Sequence, residues 1–222
     1  GVSTLEINDY ANELTIKNGA TSACYLYKAH PSDSPFPKHI CTSVNNVVCH
    51  GIPRADEYLK NGDIINCDIT VILKGYHGDT SRTFYVGTPS AEAKKLVETT
   101  KQAMEVGIAA MKPGACISEI GAAIEDFVAP FKYGIVEELT GHGIGTKFHL
   151  EPSVFHYRHP KYRLRMKPGM IFTVEPMVNQ GSKKVKLLED GWTVVTADGK
   201  LSAQFEQTIL VTDNGYEVLT YI

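Results

Sequence analysis

Residues 64–73 have the sequence IINCDITVIL, and Lys74-Gly75 then leads into a second run of similar character from Tyr76 to Val86. Both runs are rich in β-branched and aromatic residues, which favour extended strands. A two-residue turn that contains glycine is typical of a tight hairpin between such strands. The sequence therefore predicts an antiparallel pair in which Thr70 faces Asp79.

This predicted hairpin carries two acidic residues on one face. Asp68 stands inside an apolar strand, where a carboxylate needs a partner. The register makes Asp79 its diagonal neighbour, roughly 7–8 Å away at the backbone, so both carboxylates can converge on one or two cations. In isolation either aspartate would be interpreted as a turn or capping residue. The prediction of a cation site therefore depends on the pair in register.

Three later segments carry residues of matching chemistry. A histidine, His142, stands among glycines at 141, 143 and 145, although a lone histidine is more often structural than functional. Glu175 ends an apolar run, and Glu206 lies inside another. Four carboxylates and one imidazole suit Mn, Fe, Co or Zn rather than copper or a thiolate-bound metal. Such a set is large enough to bridge two ions, and a pair of ions can hold a hydroxide nucleophile and polarise a carbonyl.

Composition narrows the class of protein. The 222 residues, 43% of them hydrophobic, suit one large domain or two small lobes with a core that needs no disulfide or metal to fold. The net charge of -3 gives no electrostatic case for nucleic acid, and we expect no specific DNA partner. No apolar run is long enough for a membrane span. The five cysteines form no C-x-x-C pair, which favours reduced, buried thiols in the cytoplasm.

A weak internal repeat suggests two related halves. Residues 1–7 (GVSTLEI) align without a gap with residues 114–120 (GACISEI), and each copy resembles the start of a helix. In the second copy a helix from roughly Ala91 to Met111 precedes it. The alternative is that two unrelated helix starts look alike. If the halves are related, a helix should precede the first copy as well, and the absence of an initiator Met suggests missing upstream residues.

The C-terminal part alternates strand and turn signals. Strands are predicted at Trp192–Ala197, Leu201–Val211 and Tyr216–Ile222, separated by Asp198-Gly199 and Asn214-Gly215. The prediction is therefore an α+β protein with antiparallel hairpins.

Five motifs now carry a resemblance to a known family. They are Val48-Cys49-His50-Gly51-Ile52-Pro53, Gly75-Tyr76-His77-Gly78-Asp79-Thr80, Gly141-His142-Gly143-Ile144-Gly145, Phe172-Thr173-Val174-Glu175-Pro176-Met177 and Asp190-Gly191-Trp192-Thr193. In these the chain resembles the type I methionine aminopeptidases, whose two-lobed pita-bread fold is shared with aminopeptidase P, prolidase and creatinase. The segment between Glu175 and Glu206 is too short for the helical insertion of the type II enzymes.

The resemblance implies a fold and a domain organisation. It implies a single catalytic domain over residues 1–222, with a first lobe of about 1–88 and a second of about 89–222. The lobes are related by a pseudo-twofold repeat, and an antiparallel sheet is covered by helices. Relative to the family, the N-terminal helix is missing from this chain.

The resemblance also implies roles for named residues. Asp68 would bind one divalent metal ion (Co, Mn, Fe or Zn), Asp79 and Glu206 would bridge two, and His142 and Glu175 would complete the second site. In catalysis, His50 would contact the scissile amide, His149 would contact the substrate carbonyl and its oxyanion, and Glu175 would shuttle a proton. A pocket for the methionine side chain would be lined by Cys24, Tyr27, Cys41, Phe148 and Trp192, with Phe36. A monovalent cation would be held by Asn45, Val47 and Ser202.

The activity implied is removal of the initiator methionine from nascent proteins and peptides by a monomer. An X-Pro peptidase of the aminopeptidase P or prolidase kind would use the same five metal ligands, and Cys41, His50 and Trp192 favour methionine release over it. A non-enzymatic binding protein on this fold would be expected to have lost some of these metal ligands.

Two basic stretches are either solvated loops or a ribosome contact. They are Arg158, Lys161, Arg163, Arg165 and Lys167, and Lys183, Lys184 and Lys186. The segment Lys28–Lys38 is longer than in the shortest family members.

Overall fold

The computed structural model describes residues 1–220. Three α-helices and fifteen strands occur in that range. In chain order they are α1 (Thr4–Lys17), β1 (Thr21–Ser22), β2 (Cys41–Val44), β3 (Val47–Cys49), β4 (Ile64–Leu73), β5 (Tyr76–Tyr85), α2 (Ala91–Ala109), α3 (Ser118–Val128), β6 (Gly134–Ile135), β7 (Gly141–Gly143), β8 (Leu150–Val154), β9 (Ile171–Val174), β10 (Met177–Asn179), β11 (Val185–Leu187), β12 (Val194–Thr196), β13 (Ser202–Gln204), β14 (Glu206–Val211) and β15 (Tyr216–Val218).

The largest sheet has nine strands and contains the predicted hairpin. Its order is β1-β4-β5-β14-β9-β7-β8, with β2 also paired to β4 and β15 to β14, and its pairings are antiparallel. Thr70 lies opposite Asp79, as the Lys74-Gly75 turn predicts. Both turn residues have positive φ, of 51° and 84°, as this turn geometry requires. The predicted register is confirmed, and β5 ends at Tyr85, one residue early.

The helices pack against the sheets. Helix α1 contacts β1 and β2, whereas α2 contacts β9, β10 and β13, and α3 contacts β8. Between α2 and α3 the spacing is tight, because a Cβ at Gly107 would come within 2.7 Å of the Ile124 side chain. Helix α2 ends at Ala109, two residues before the predicted end, and Met111 is nevertheless buried in the turn that follows. The α+β class is confirmed.

The repeat seen in the sequence is also a repeat in structure. Just before α1, Ser3 forms an isolated β-bridge with Tyr58; just before α3, Cys116 forms the same kind of bridge with Arg165. In each copy the backbone N–H of the bridging residue donates to the carboxylate of a glutamate three residues on, at 2.7 and 3.2 Å. The shared geometry supports related halves over a chance likeness of two helix starts.

One predicted strand is wrong in its continuity. Residues 201–211 form two strands that separate at the buried Phe205, because β13 pairs with β10 in a three-stranded sheet whereas β14 belongs to the nine-stranded sheet. Likewise β12 begins at Val194, so Trp192 precedes the strand. Strand β15 ends at Val218, and the last two residues of the predicted Tyr216–Ile222 lie outside the described range.

The five cysteines are all free. Cys24, Cys41 and Cys49 are buried, as predicted, whereas Cys67 and Cys116 are half-buried, so the prediction of burial holds for three of the five. Among residues 1–220, no helix has both the length and the apolar character needed to cross a membrane.

Candidate metal centre and substrate pocket

Side chains from distant parts of the chain converge at one place in the nine-stranded sheet. Asp79, His142 and Glu206 each offer a ligand atom within 4.8 Å of the others. His142 Nε2 lies 3.6 Å from Asp79 Oδ2 and 3.7 Å from Glu175 Oε1. Asp68 lines the same cavity. The structure therefore brings together all five predicted metal-ligand residues.

Strand pairing explains why these residues meet. Asp68 and Asp79 lie on the β4–β5 hairpin, and Glu206, the first residue of β14, pairs with Ser81 of β5. Asp79 is two residues from Ser81, so Glu206 is its diagonal neighbour across the next strand pair. Glu175 directly follows β9, which also pairs with β14. The site is thus built on adjacent strands rather than on mobile loops.

Hydroxyl and amide donors orient two of the carboxylates. Thr70 Oγ1 donates to Asp79 Oδ1 at 2.7 Å, and Thr173 Oγ1 donates to Glu175 Oε1 at 2.6 Å. Gln204 Nε2 donates to the other oxygen of Glu175 at 3.3 Å. Such partners fix carboxylate orientation around a metal site.

The orientation of His142 is fixed by its own strand. Its Nδ1 lies 3.1 Å from the carbonyl oxygen of Gly143 and donates to it, which leaves the Nε2 lone pair facing the carboxylates. The flanking glycines permit close backbone approach. A Cβ at Gly141 would lie 2.5 Å from the Thr173 carbonyl oxygen, and one at Gly143 would lie 2.2 Å from that of Glu151.

The pKa values of the acidic cluster indicate that a bound cation would stabilise its ionised form. Burial raises the pKa of Asp68 to about 7 and that of Glu175 to about 8. Burial, together with the neighbouring acids, raises the pKa of Asp79 and Glu206 well above their usual range. No lysine or arginine within residues 1–220 lines the cavity to offset these charges. Buried carboxylates are paired or coordinate metals, so this donor set fits divalent metal ions.

Two further histidines face the same cavity. His50 has a φ of +55°, a left-handed conformation that is uncommon outside glycine and clusters at functional sites. Burial lowers the pKa of His50 to about 4, and partial burial together with the neighbouring histidines lowers the pKa of His149 to about 3. The ring of His149 lies 4.1 Å from that of His142, and its Nδ1 lies 2.7 Å from Tyr27 Oη.

An apolar, aromatic part of the cavity adjoins the acidic cluster. The whole cavity has a volume of about 280 Å³, and all six predicted pocket residues line it, Phe36 among them. Phe36 is only 2% exposed despite its proline-rich surroundings, and its ring meets Trp192 edge-on at 5.3 Å. On the opposite side Tyr27 packs against Phe148 at 4.8 Å.

Several lining residues escaped the sequence reasoning. They are Ala29, Cys49, Glu138, Leu139, Thr140, Met177 and Gln204. Residues 138–140 precede β7 in an irregular segment without a pattern to mark them. Cys49 and Met177 lie within two of the five motifs quoted above, so their place in those motifs could have identified them as lining residues.

Two of the three residues proposed to hold a monovalent cation are joined by a backbone hydrogen bond. The Ser202 N–H donates to the carbonyl oxygen of Asn45 at 2.9 Å, so these two residues are neighbours. The Asn45 side chain is engaged with Asp63 and with the Ile64 N–H, and Val47 pairs with Val195 in another sheet. A cation at this position stays a prediction.

The two basic stretches lie on the surface and are partly paired with acids. Arg158 forms ion pairs with Asp126 at 2.6 Å and with Glu125 at 3.6 Å, and Lys183 pairs with Glu137 at 2.6 Å. These pairs reduce the positive charge that either stretch can offer to a partner.

A cluster of acids and a histidine on an antiparallel sheet, beside an apolar pocket, defines a metallopeptidase-like site. The chain belongs to metallopeptidase family M24, whose profile matches residues 1–213. Relatives about half identical to this chain are named methionine aminopeptidase. The chain is 53% identical to methionine aminopeptidase B of Synechocystis sp., over 99% of this chain and 80% of that protein.

Two further comparisons agree with this. The chain is 48% identical to the methionine aminopeptidase of Escherichia coli strain K12, over 99% of this chain and 81% of that protein. The crystal structure of methionine aminopeptidase from Rickettsia prowazekii superposes with a TM-score of 0.94 at 48% identity, over 99% of this chain and 86% of that one. The two-lobed fold implied by the motifs is therefore confirmed.

Proposed function

We propose that this protein is a methionine aminopeptidase that removes the N-terminal methionine from nascent proteins and peptides. The single observation that carries the proposal is the cavity itself, in which five metal-ligand side chains adjoin a pocket of thiols and aromatic rings. A soft, apolar pocket suits a flexible thioether side chain. Relatives about half identical over almost the whole chain bear the same name.

The proposed metal centre comprises two divalent ions, of Co, Mn, Fe or Zn, held by Asp68, Asp79, His142, Glu175 and Glu206. Oxygen-rich sets with one imidazole suit these metals. When bound, such ions polarise the substrate carbonyl and make water a stronger nucleophile at neutral pH. Asp79 and Glu206 are the proposed shared ligands, since both lie in the compact triad with His142.

The remaining steps fall to the protein's own side chains. His149 Nε2–H donates a hydrogen bond to the substrate carbonyl oxygen as negative charge develops there. His50 contacts the amide of the bond to be broken. A carboxylate oxygen of Glu175 would accept a proton from the attacking water and pass it to the leaving amine, while Thr173 holds the other oxygen at 2.6 Å.

Recognition of the chain terminus combines shape with charge. The methionine side chain occupies the pocket of Cys24, Cys41, Phe148 and Trp192, and the free α-amine binds near Asp68. An acetylated terminus has no cationic amine for this acid to bind. The proposal therefore restricts the substrate to unblocked N-terminal methionine.

The proposed context is a single catalytic domain over residues 1–222 that works as a monomer in the cytoplasm, in keeping with its free cysteines. A contact with ribosomal RNA through residues 158–167 is part of this proposal, because Lys161, Arg163 and Lys167 are exposed. Reversing these three charges should reduce co-sedimentation with ribosomes. Unchanged co-sedimentation would argue for a solvated loop.

The proposed specificity is tested with three peptides, Met-Ala-Ser, Leu-Ala-Ser and Ala-Pro-Ser, each incubated with the metal-loaded protein. We expect mass spectrometry to detect release of the first residue from Met-Ala-Ser far ahead of the others. Preferential cleavage of Ala-Pro-Ser would instead identify an X-Pro peptidase on the same metal ligands. Binding of peptides without any cleavage would favour a binding protein.

A further inference from the structure

The hydroxyl of Tyr27 is placed to control a histidine of the site. Tyr27 Oη lies 2.7 Å from His149 Nδ1, across 122 residues of sequence. Within residues 1–220 the His149 side chain makes no other hydrogen bond. The two rings are 5.2 Å apart and tilted by 41°. The contact is thus a directed hydrogen bond between two side chains that line the cavity.

The direction of this hydrogen bond decides what His149 offers to a ligand. A neutral imidazole has one donor and one acceptor nitrogen, and the partner of one nitrogen selects the state of the other. If Tyr27 donates to Nδ1, then Nε2 carries the proton and can donate to a carbonyl oxygen. If Nδ1 carries the proton, Nε2 is an acceptor and repels that oxygen.

We infer that Tyr27 is a positioning residue whose hydroxyl donates to His149 Nδ1 and thereby keeps Nε2–H directed at the substrate carbonyl. This inference rests on the proposed function for the identity of the substrate. It adds a role that lining the methionine pocket does not require, since pocket lining needs only the ring of Tyr27. The ring already packs against Phe148, and Phe148 in turn stacks on His149 at 4.2 Å.

The loop that carries Tyr27 is built to hold it in place. The Phe36 N–H donates to the Tyr27 carbonyl oxygen at 2.8 Å, and the Tyr27 N–H donates to the Cys24 carbonyl oxygen at 3.0 Å. Further along the loop, Trp192 Nε1 donates to the Ser34 carbonyl oxygen at 2.9 Å, which ties the loop to the far side of the cavity. The phenol therefore has little freedom to leave His149.

Burial and the negative charge of Asp33 raise the pKa of Tyr27, which keeps the phenol protonated and able to donate. The donor is thus present throughout the neutral pH range.

The first test compares two phenol deletions in the same loop. Tyr27→Phe removes the hydroxyl and keeps the ring. Tyr25→Phe is the matched control, because Tyr25 is 48% exposed, stacks on His39 at 4.6 Å and does not line the cavity. For Met-Ala-Ser with metal-loaded protein, we expect Tyr27→Phe to lower kcat about tenfold with little change in KM, as for loss of one hydrogen bond in the transition state. The control should match the wild type. A change confined to KM would overturn the inference in favour of pocket lining.

The second test reads the tautomer directly. In Zn-loaded protein labelled with ¹⁵N-histidine, NMR should report His149 with a protonated Nε2 and an accepting Nδ1. Tyr27→Phe should convert this signal to a mixture of tautomers, whereas Tyr25→Phe should leave it unchanged. An identical tautomer in wild type and Tyr27→Phe would overturn the inference.

The two tests separate this inference from the proposed function. If the wild-type protein released no methionine, the proposed function would fail, while the tautomer comparison would still decide the role of Tyr27. If methionine release were normal and the tautomer insensitive to Tyr27, only the role of Tyr27 would fail.

Discussion

At the scale of single residues, four carboxyl groups line the cavity beside His142, with Asp79 and Glu206 buried and Asp68 and Glu175 half-buried, and among residues 1–220 no lysine or arginine lines it. In the metal-free protein, ionising these carboxyl groups costs free energy, because burial and mutual repulsion both disfavour the charged state. Bound divalent ions would offset that cost by placing positive charge among the carboxylates. Metal binding and the ionisation of these acids should therefore be coupled.

Glu206→Gln tests the shared-ligand role. The amide keeps the shape of the side chain but removes the negative charge, so we expect metal affinity to fall by about 100-fold or more, with loss of methionine release. Calorimetric titration with Mn²⁺ measures the affinity. Glu105→Gln, on the exposed face of α2, is the matched control and should bind metal as the wild type does. Wild-type affinity in Glu206→Gln would refute its assignment as a ligand.

The pH dependence of stability tests the coupling. In the metal-free protein Asp68 and Glu175 have pKa values raised to about 7 and about 8. Their unfolded values lie near 4, so the unfolded chain binds fewer protons in this window and stability falls as pH rises toward 8. We expect the melting temperature in EDTA to fall from pH 6 to pH 8, and Mn²⁺ to raise it more at pH 8 than at pH 6. An equal metal effect at both values would count against the coupling.

At the scale of elements, strand β7 places His142 only because its neighbours are glycines. A Cβ at Gly143 would lie 2.2 Å from the Glu151 carbonyl oxygen, whereas one at Gly145 would meet nothing within 4 Å. We therefore expect Gly143→Ala to lower the free energy of unfolding by about 1–3 kcal/mol and Gly145→Ala to lower it much less. Urea denaturation of the two variants measures both. Equal destabilisation would show that backbone crowding is not the cause.

The elements also show what the sequence could and could not predict. The β4–β5 register followed from a two-residue turn between two runs rich in β-branched residues, which are local signals. The division at Phe205 was missed because residues 201–211 contain no glycine, proline, asparagine or aspartate to mark a break, although β13 and β14 belong to different sheets. That division depends on pairing partners far along the chain.

The same limit applies to the site. The five predicted metal ligands are acids and a histidine in unexpected apolar or glycine-rich settings, so each could be recognised from its neighbours in the sequence. The contact between Tyr27 and His149 spans 122 residues, and no local sequence pattern indicates it. Phe36 was predicted from the motif resemblance alone, and its burial depends on packing against Trp192.

At the scale of the whole molecule, the site needs both halves of the chain. Asp68 and Asp79 come from the first proposed lobe, and His142, Glu175 and Glu206 from the second. Pairing of β14 with β5 joins the halves within one sheet. The proposed lobes should therefore unfold together rather than in sequence.

The single tryptophan makes this cooperativity measurable. Trp192 lines the cavity, so its fluorescence reports on the site, while far-UV circular dichroism reports on all helices and strands. We expect the two probes to give coincident urea transitions for the metal-free protein. Separate transitions would indicate that the halves are independent folding units and would overturn the single-domain proposal.

The proposed reaction is tested most simply by measuring release of free methionine from Met-Ala-Ser and from its N-acetylated twin, with and without added Mn²⁺ or Co²⁺. We expect release from the free-amine peptide alone, and only with metal, because the acidic cluster must hold both the metal and the cationic terminus. Metal-independent release, equal release from the acetylated peptide, or no release despite bound metal would contradict it.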